Sequence, residues 1–172
     1  MSDNDNVWRS TAVVASGIQP DTPVAGAVWE RAGIIARTQQ AEDAVLRPTD
    51  AGAWSHALRA AFAARIARLH GEHQLASIFL DGHGNSEVAG MADPEDRGSK
   101  HGLEVVLQFM DKVAVSPRNI VADDITNLQQ AGIADADIVR LCELNAFLGY
   151  QIRLVAGLRL MATASPTSEP VA

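Results

Sequence analysis

The chain has 172 residues, with 21 Asp and Glu against 14 Lys and Arg, a formal charge of −7 with the histidines neutral. That balance, with no cluster of Lys and Arg, argues against a nucleic-acid partner, since phosphate contacts need concentrated positive charge. A hydrophobic content of 47% with only 5% aromatic residues points to close-packed helices rather than a sandwich or barrel, in a chain long enough for one core.

Taken in chain order, residues 1 to 20 show no clean periodicity, and Trp8 with TAVVASGI reads as an irregular lead-in. The polar start MSDNDN lacks the apolar stretch of a signal peptide. A helix is predicted from Asp21-Thr22-Pro23, with Asp21 or Thr22 as N-cap and Pro23 in the first turn. Val24, Val28, Ala32 and Ile35 mark its face, and the pattern runs through AEDAVL until Arg47-Pro48 stops it. A short turn carrying Trp54 follows, and Ser55 is placed to cap the next helix.

The stretch Leu58 to Gly82 is the centre of the sequence. Leu58, Phe62, Ile66 and Leu69 give one narrow apolar face, and Leu75, Ile78 and Phe79 give a second helix after a corner near Gly71. Residues 82 to 98 carry four glycines and a proline with no apolar period, which predicts a mobile connection or a flap over a pocket. Ser99 is expected to cap a helix bearing Leu103, Val106, Leu107 and Met110. VSPRNIVADD links to a short helix whose N-terminus is favoured by Asp123 and Asp124 and whose end is closed by Gly132. Asp135 and Asp137 open the last helix, with Ile138, Leu141, Asn145, Leu148, Ile152 and Val155 on one face. The tail ATASPTSEPVA is low in complexity and expected to be disordered. The prediction is therefore an irregular segment 1–20, a single all-α domain over 21–161, and a disordered tail over 162–172.

Two stretches carry a family likeness. LRAAFAARIARLHG, together with SPRNIVADDITNLQQAGIADADIVRLCELNAFLGYQIRLVAGL, resembles the carboxymuconolactone decarboxylase and alkylhydroperoxidase D superfamily, in its peroxidase-related branch. Arg153 with Gly157-Leu158 fits the ending of that branch, whereas Gly149 and Ile152 stand where asparagines are expected. The resemblance implies a compact helical bundle, homo-oligomers built from helices of neighbouring chains, and a redox site of Glu and C-x-x-C-x-x-x-H. In such a site a helix N-terminus lowers a thiol pKa, one thiolate attacks peroxide, the second resolves it, and Glu and His relay the proton. Laid on this chain, the two cysteine positions are Glu72 and Leu75, the histidine position is Phe79 and the glutamate position is Ala60. The usual peroxidase route is therefore absent. That leaves a non-catalytic assembly or regulatory subunit, beside a cysteine-bearing paralogue, or a cofactor-free decarboxylase or isomerase acting by proton transfer on a small organic acid or lactone.

Outside the motif, His70 and His73 flank Glu72 at i, i+3 and are candidates for a general acid and base, although a polar helix corner is the commoner outcome of such a pair. Arg65 lies about 55° from the centre of its apolar face at about 100° per residue. It could clamp a substrate carboxylate, or pair internally with Glu72, Asp81 or Glu104. Asn145 is expected to fix helix register, while His56, His83 and His101 are expected to be solvated. Cys142 is the one cysteine in the sequence, so no disulfide can form within the chain, and it reads as an inert small hydrophobe. No cofactor or metal is expected. The segment Ile138 to Met161 carries Arg140, Glu143, Arg153 and Arg159, which argues against a membrane span and favours a cytoplasmic setting.

Overall fold

A computed structural model describes residues 7–81, 83–84 and 87–164. All regular structure among them is helical, as predicted. Among the described residues eight α-helices follow one another: α1 Thr11–Ser16, α2 Ala25–Glu30, α3 Ala32–Leu46, α4 His56–Leu69, α5 His73–Leu80, α6 Glu104–Val115, α7 Ala122–Gln130 and α8 Asp135–Thr163. Short 3-10 turns at Ala89–Ala92, Ser99–His101 and Pro117–Asn119 join them. None of the described helices is long and apolar enough to cross a membrane.

The chain divides into two compact units, Met1–Gln40 with Arg153–Ala172, and Ala41–Ile152. In the first, Val7, Val13, Ile18, Val28, Ile35 and Leu158 form a buried cluster, with Trp8, Val24, Ala32 and Leu154 packed on it. Residues 11–16, expected to be irregular, form α1, whose Thr11 amide donates to Gln39 Oε1 at 2.9 Å. The apolar Val13 and Ala15 give that short helix a core to bury. The helix predicted from Pro23 starts at Ala25 and is interrupted at Arg31, where the backbone leaves helical geometry between Gly26 and Gly33. It ends at Leu46, ahead of Pro48, because the residue before proline is pushed out of helical geometry. At the other end of the chain, α8 continues to Thr163, past the predicted start of the tail; residues 165–172 lie outside the described set.

The second unit is built on α4. Every residue from Arg59 to Ala67 is buried, because Ala60, Ala61, Ala63, Ala64 and Ala67 let neighbours approach on all sides while Phe62 and Ile66 fill the volume between. Ser55 Oγ accepts the Leu58 amide and caps the helix as predicted. Gly71, at φ +75°, closes it, and the Glu72 amide donates to Ala67 O at 2.8 Å. On α6 the predicted Val106, Leu107 and Met110 are buried. That helix begins at Glu104 rather than at Ser99, because Gly98 and Gly102, both with positive φ, bracket a 3-10 turn first. On α7 the Asp124 carboxylate accepts the Val121 amide at 2.8 Å, and Gly132 ends the helix in a left-handed turn. All six predicted core positions of α8 are buried.

Candidate functional site

The corner between α4 and α5 holds the residues the sequence singles out. Glu72 is the N-cap of α5 and is buried, although its carboxylate accepts no capping bond from that helix. Leu75 is fully buried and Phe79 is 5% exposed, so both are core side chains. Ala60, opposite in the motif alignment, is also buried. These positions therefore hold hydrocarbon and one carboxylate. His70 and His73 lie at the surface on either side of Glu72. The His70 ring Nε2 is 3.2 Å from the carbonyl oxygen of Ala114 at the end of α6.

Arg65, on α4, is 2% exposed. Its partner is Asp111 on α6, in place of Glu72, Asp81 or Glu104. Nε donates to Oδ1 at 2.6 Å and Nη2 to Oδ2 at 2.7 Å, a bidentate pair. The remaining N–H groups serve backbone carbonyls: Nη1 donates to Asp93 at 2.6 Å, Asp96 at 2.9 Å and Met91 at 3.2 Å, and Nη2 donates to Pro94 at 3.0 Å. A guanidinium has five N–H donors, and each of them is engaged. A substrate carboxylate would have to displace Asp111. Residues 82 to 98 were expected to form a mobile connection or a flap over a pocket; instead Ala89–Ala92 form a 3-10 turn, and carbonyls of residues 91–96 accept from Arg65. Met91 and Ala92 are buried and the segment is held by Arg65; Gly82, Asn85 and Ser86 lie outside the described residues.

Three polar groups were missed by sequence reasoning. Arg59, one and two-thirds turns before Arg65, is also buried and donates to the carbonyls of Val45, Ala51 and Trp54. Its burial pushes its pKa below the ordinary value, and the nearby Arg140 adds to that shift. Glu42 is buried on α3 and accepts from Gln151 Nε2 on α8 at 2.5 Å, while Arg47 lies 3.5 Å from its other oxygen. The Gln151 Oε1 atom, like Asn145 Oδ1, is buried without a hydrogen-bond partner. Asn145 otherwise behaves as a register residue, its amide donating to Leu141 O and reaching the Met110 sulfur. No sequence signal marks Glu42, because on α3 it sits among residues with no strong apolar face.

No family model, no curated protein and no solved structure matches the chain.

The remaining titratable candidates are dispersed. Cys142 is exposed on α8, yet partial burial of its sulfur and then the Glu143 carboxylate raise its pKa above the ordinary value, which disfavours the thiolate. The His56 ring Nε2 is 3.0 Å from Pro48 O, and His101 is exposed. Among the described residues, no three His, Cys, Asp or Glu side chains are grouped so that they could hold a metal ion.

Proposed function

We propose that this protein is a carboxymuconolactone decarboxylase and alkylhydroperoxidase D-like chain that has lost the redox pair and does not act as a peroxidase. It serves as an assembly or regulatory subunit, as a homo-oligomer or beside a cysteine-bearing paralogue. One observation carries the reading. On α5, Leu75 and Phe79 are sealed into the core at the positions where the resemblance implies a resolving thiol and a proton relay. Hydrocarbon at both places can neither form a mixed disulfide nor move a proton. Cofactor-free proton transfer on a small acid has less support, since its carboxylate clamp, Arg65, is already saturated by Asp111 and four carbonyl groups.

The test is peroxide turnover with a dithiol donor. The expected rate equals that of buffer. Turnover above buffer that survives Cys142→Ser would overturn the proposal. A thermal-shift screen with small carboxylates and lactones addresses the rival reading, because a ligand that binds only the native state must raise its melting temperature. No shift is expected.

A further inference from the structure

The segment Ala89–Arg97 is fastened to the helices by the hydrogen bonds of one side chain. Its own amide bonds are local. The amides of Met91, Asp93 and Asp96 donate to the carbonyls of Val88, Gly90 and Asp93, and the Asp93 and Asp96 carboxylates accept the amides of Glu95 and Gly98. Among the described residues, every other hydrogen bond of the segment ends on Arg65, through the carbonyls of Met91, Asp93, Pro94 and Asp96. Its apolar anchorage is equally narrow. Met91 and Ala92 are fully buried, in a 3-10 turn that packs on α4, while its other residues are exposed or half-buried.

The guanidinium divides its donors between two structures. Nε and one Nη2 hydrogen go to Asp111 on α6, and the other three N–H groups serve the segment. Lifting the segment therefore leaves the charge of Arg65 paired with Asp111, and the released carbonyls pass to water. The large cost of a buried, unpaired charge does not arise. Gly98, at φ +74°, stands where the segment meets the next 3-10 turn, a backbone position suited to a hinge.

We infer that Ala89–Arg97 is a strap that opens and closes as one unit while the helices stay packed. Few buried apolar contacts and a single external fastener are the marks of a cooperative unit at the low end of local stability. Open, the strap bares three N–H groups of Arg65 beside the surface of α4 that Met91 covers. In that state Arg65 can take outside oxygen atoms without giving up Asp111. The inference goes beyond the function proposed above, which stands whether or not the strap opens.

Native-state hydrogen exchange on the full chain, followed by NMR, tests this. The amides of Met91, Asp93 and Asp96 should share one protection factor, at least about a hundredfold below those of Phe62 and Ile66 on α4, and little changed by low urea. Leu148→Ala, at a fully buried position on α8, should speed exchange at Phe62 and Ile66 and leave the three strap amides as they are. Arg65→Lys should speed all three by at least about tenfold, because an ammonium cannot serve four spread carbonyls. Strap amides as protected as those of α4, and accelerated with them by Leu148→Ala, overturn the inference, since the strap then opens only with the bundle. So do three unrelated rates, which mean piecewise fraying, or rates indifferent to Arg65→Lys. Should Arg65→Lys not fold, Met91→Ala serves instead: it must speed all three amides by one factor, and a change confined to residue 91 overturns the inference as well.

Discussion

Six acceptor oxygens converge on Arg65: both oxygens of Asp111 and the carbonyls of Met91, Asp93, Pro94 and Asp96. A planar fork with five donors suits that arrangement, whereas an ammonium group offers three donors from one point. Arg65→Met would strand a carboxylate and four inward-facing carbonyls. Removing one partner of a buried pair costs about 3–5 kcal/mol, and because the Asp111 side chain keeps 28% of its exposure, the lower end of that range is expected. Arg65→Lys should recover only a minor part of the loss, since one ammonium cannot reach oxygens spread over residues 91–96 and Asp111 together. Urea denaturation of the three proteins checks both statements. A Lys variant as stable as wild type would show that charge alone suffices. Arg59 uses the same device on the connection before α4, donating to Val45, Ala51 and Trp54. One helix thus fixes two separate connections through two buried guanidinium groups.

At the scale of elements, the corners are set by glycines in a backbone region that L side chains rarely adopt. Gly71, between α4 and α5, has φ +75°, and a Cβ there would meet nothing within 4 Å. The cost of Gly71→Ala is therefore conformational alone, about 1–2 kcal/mol. Gly98, with φ +74°, is different: an added Cβ would lie 2.8 Å from a methyl of Leu107 and 3.2 Å from the Leu103 backbone. Leu107 is buried in the core and cannot swing aside cheaply. Gly98→Ala should accordingly destabilise by more than Gly71→Ala in the same denaturation assay. Equal losses would mean that the contact at Leu107 relaxes. Gly71 also makes the turn after which Glu72 stands at the start of α5 and Leu75 and Phe79 are buried.

For the whole molecule, acid stability follows from where carboxylates find partners. Asp124 accepts from Lys112 Nζ at 2.7 and 2.8 Å and from the Val121 amide. The Lys112 hydrogen bond first, and then the amide, hold its pKa below the ordinary 3.8. Because the folded value is the lower one, the unfolded chain binds more protons between the two values and stability rises with pH across that window. The contribution is fully present above the ordinary value and is lost as pH falls through the lowered one. Asp124→Asn keeps a capping oxygen but removes the charge, so its urea midpoint should lie below that of wild type at neutral pH and converge with it in strong acid. A gap that persists unchanged into strong acid would contradict the assignment.

Local rules made much of the fold legible. Ser55 starts a helix and Gly71 and Gly132 end helices where their chemistry requires, and the apolar period of α8 marks the side chains that are buried. The centre was harder to read. The sequence of α4 shows one narrow apolar face, but the helix is buried on every side from Arg59 to Ala67. Alanine carries little period and two arginines disguise the rest, so only neighbours that saturate those arginines make full burial tolerable. The carbonyls of Met91, Asp93, Pro94 and Asp96 are held by Arg65, and glycine-rich composition cannot reveal a distant donor. Helix type, caps, the corner at Gly71 and the absence of cysteines at residues 72 and 75 follow from the chain by itself, because each depends on residues within a few positions of one another. The choice of Asp111 for Arg65, 46 residues away, and of Gln151 for Glu42, 109 residues away, belongs to the tertiary structure alone, since a buried charge takes whichever partner the packed helices bring within reach.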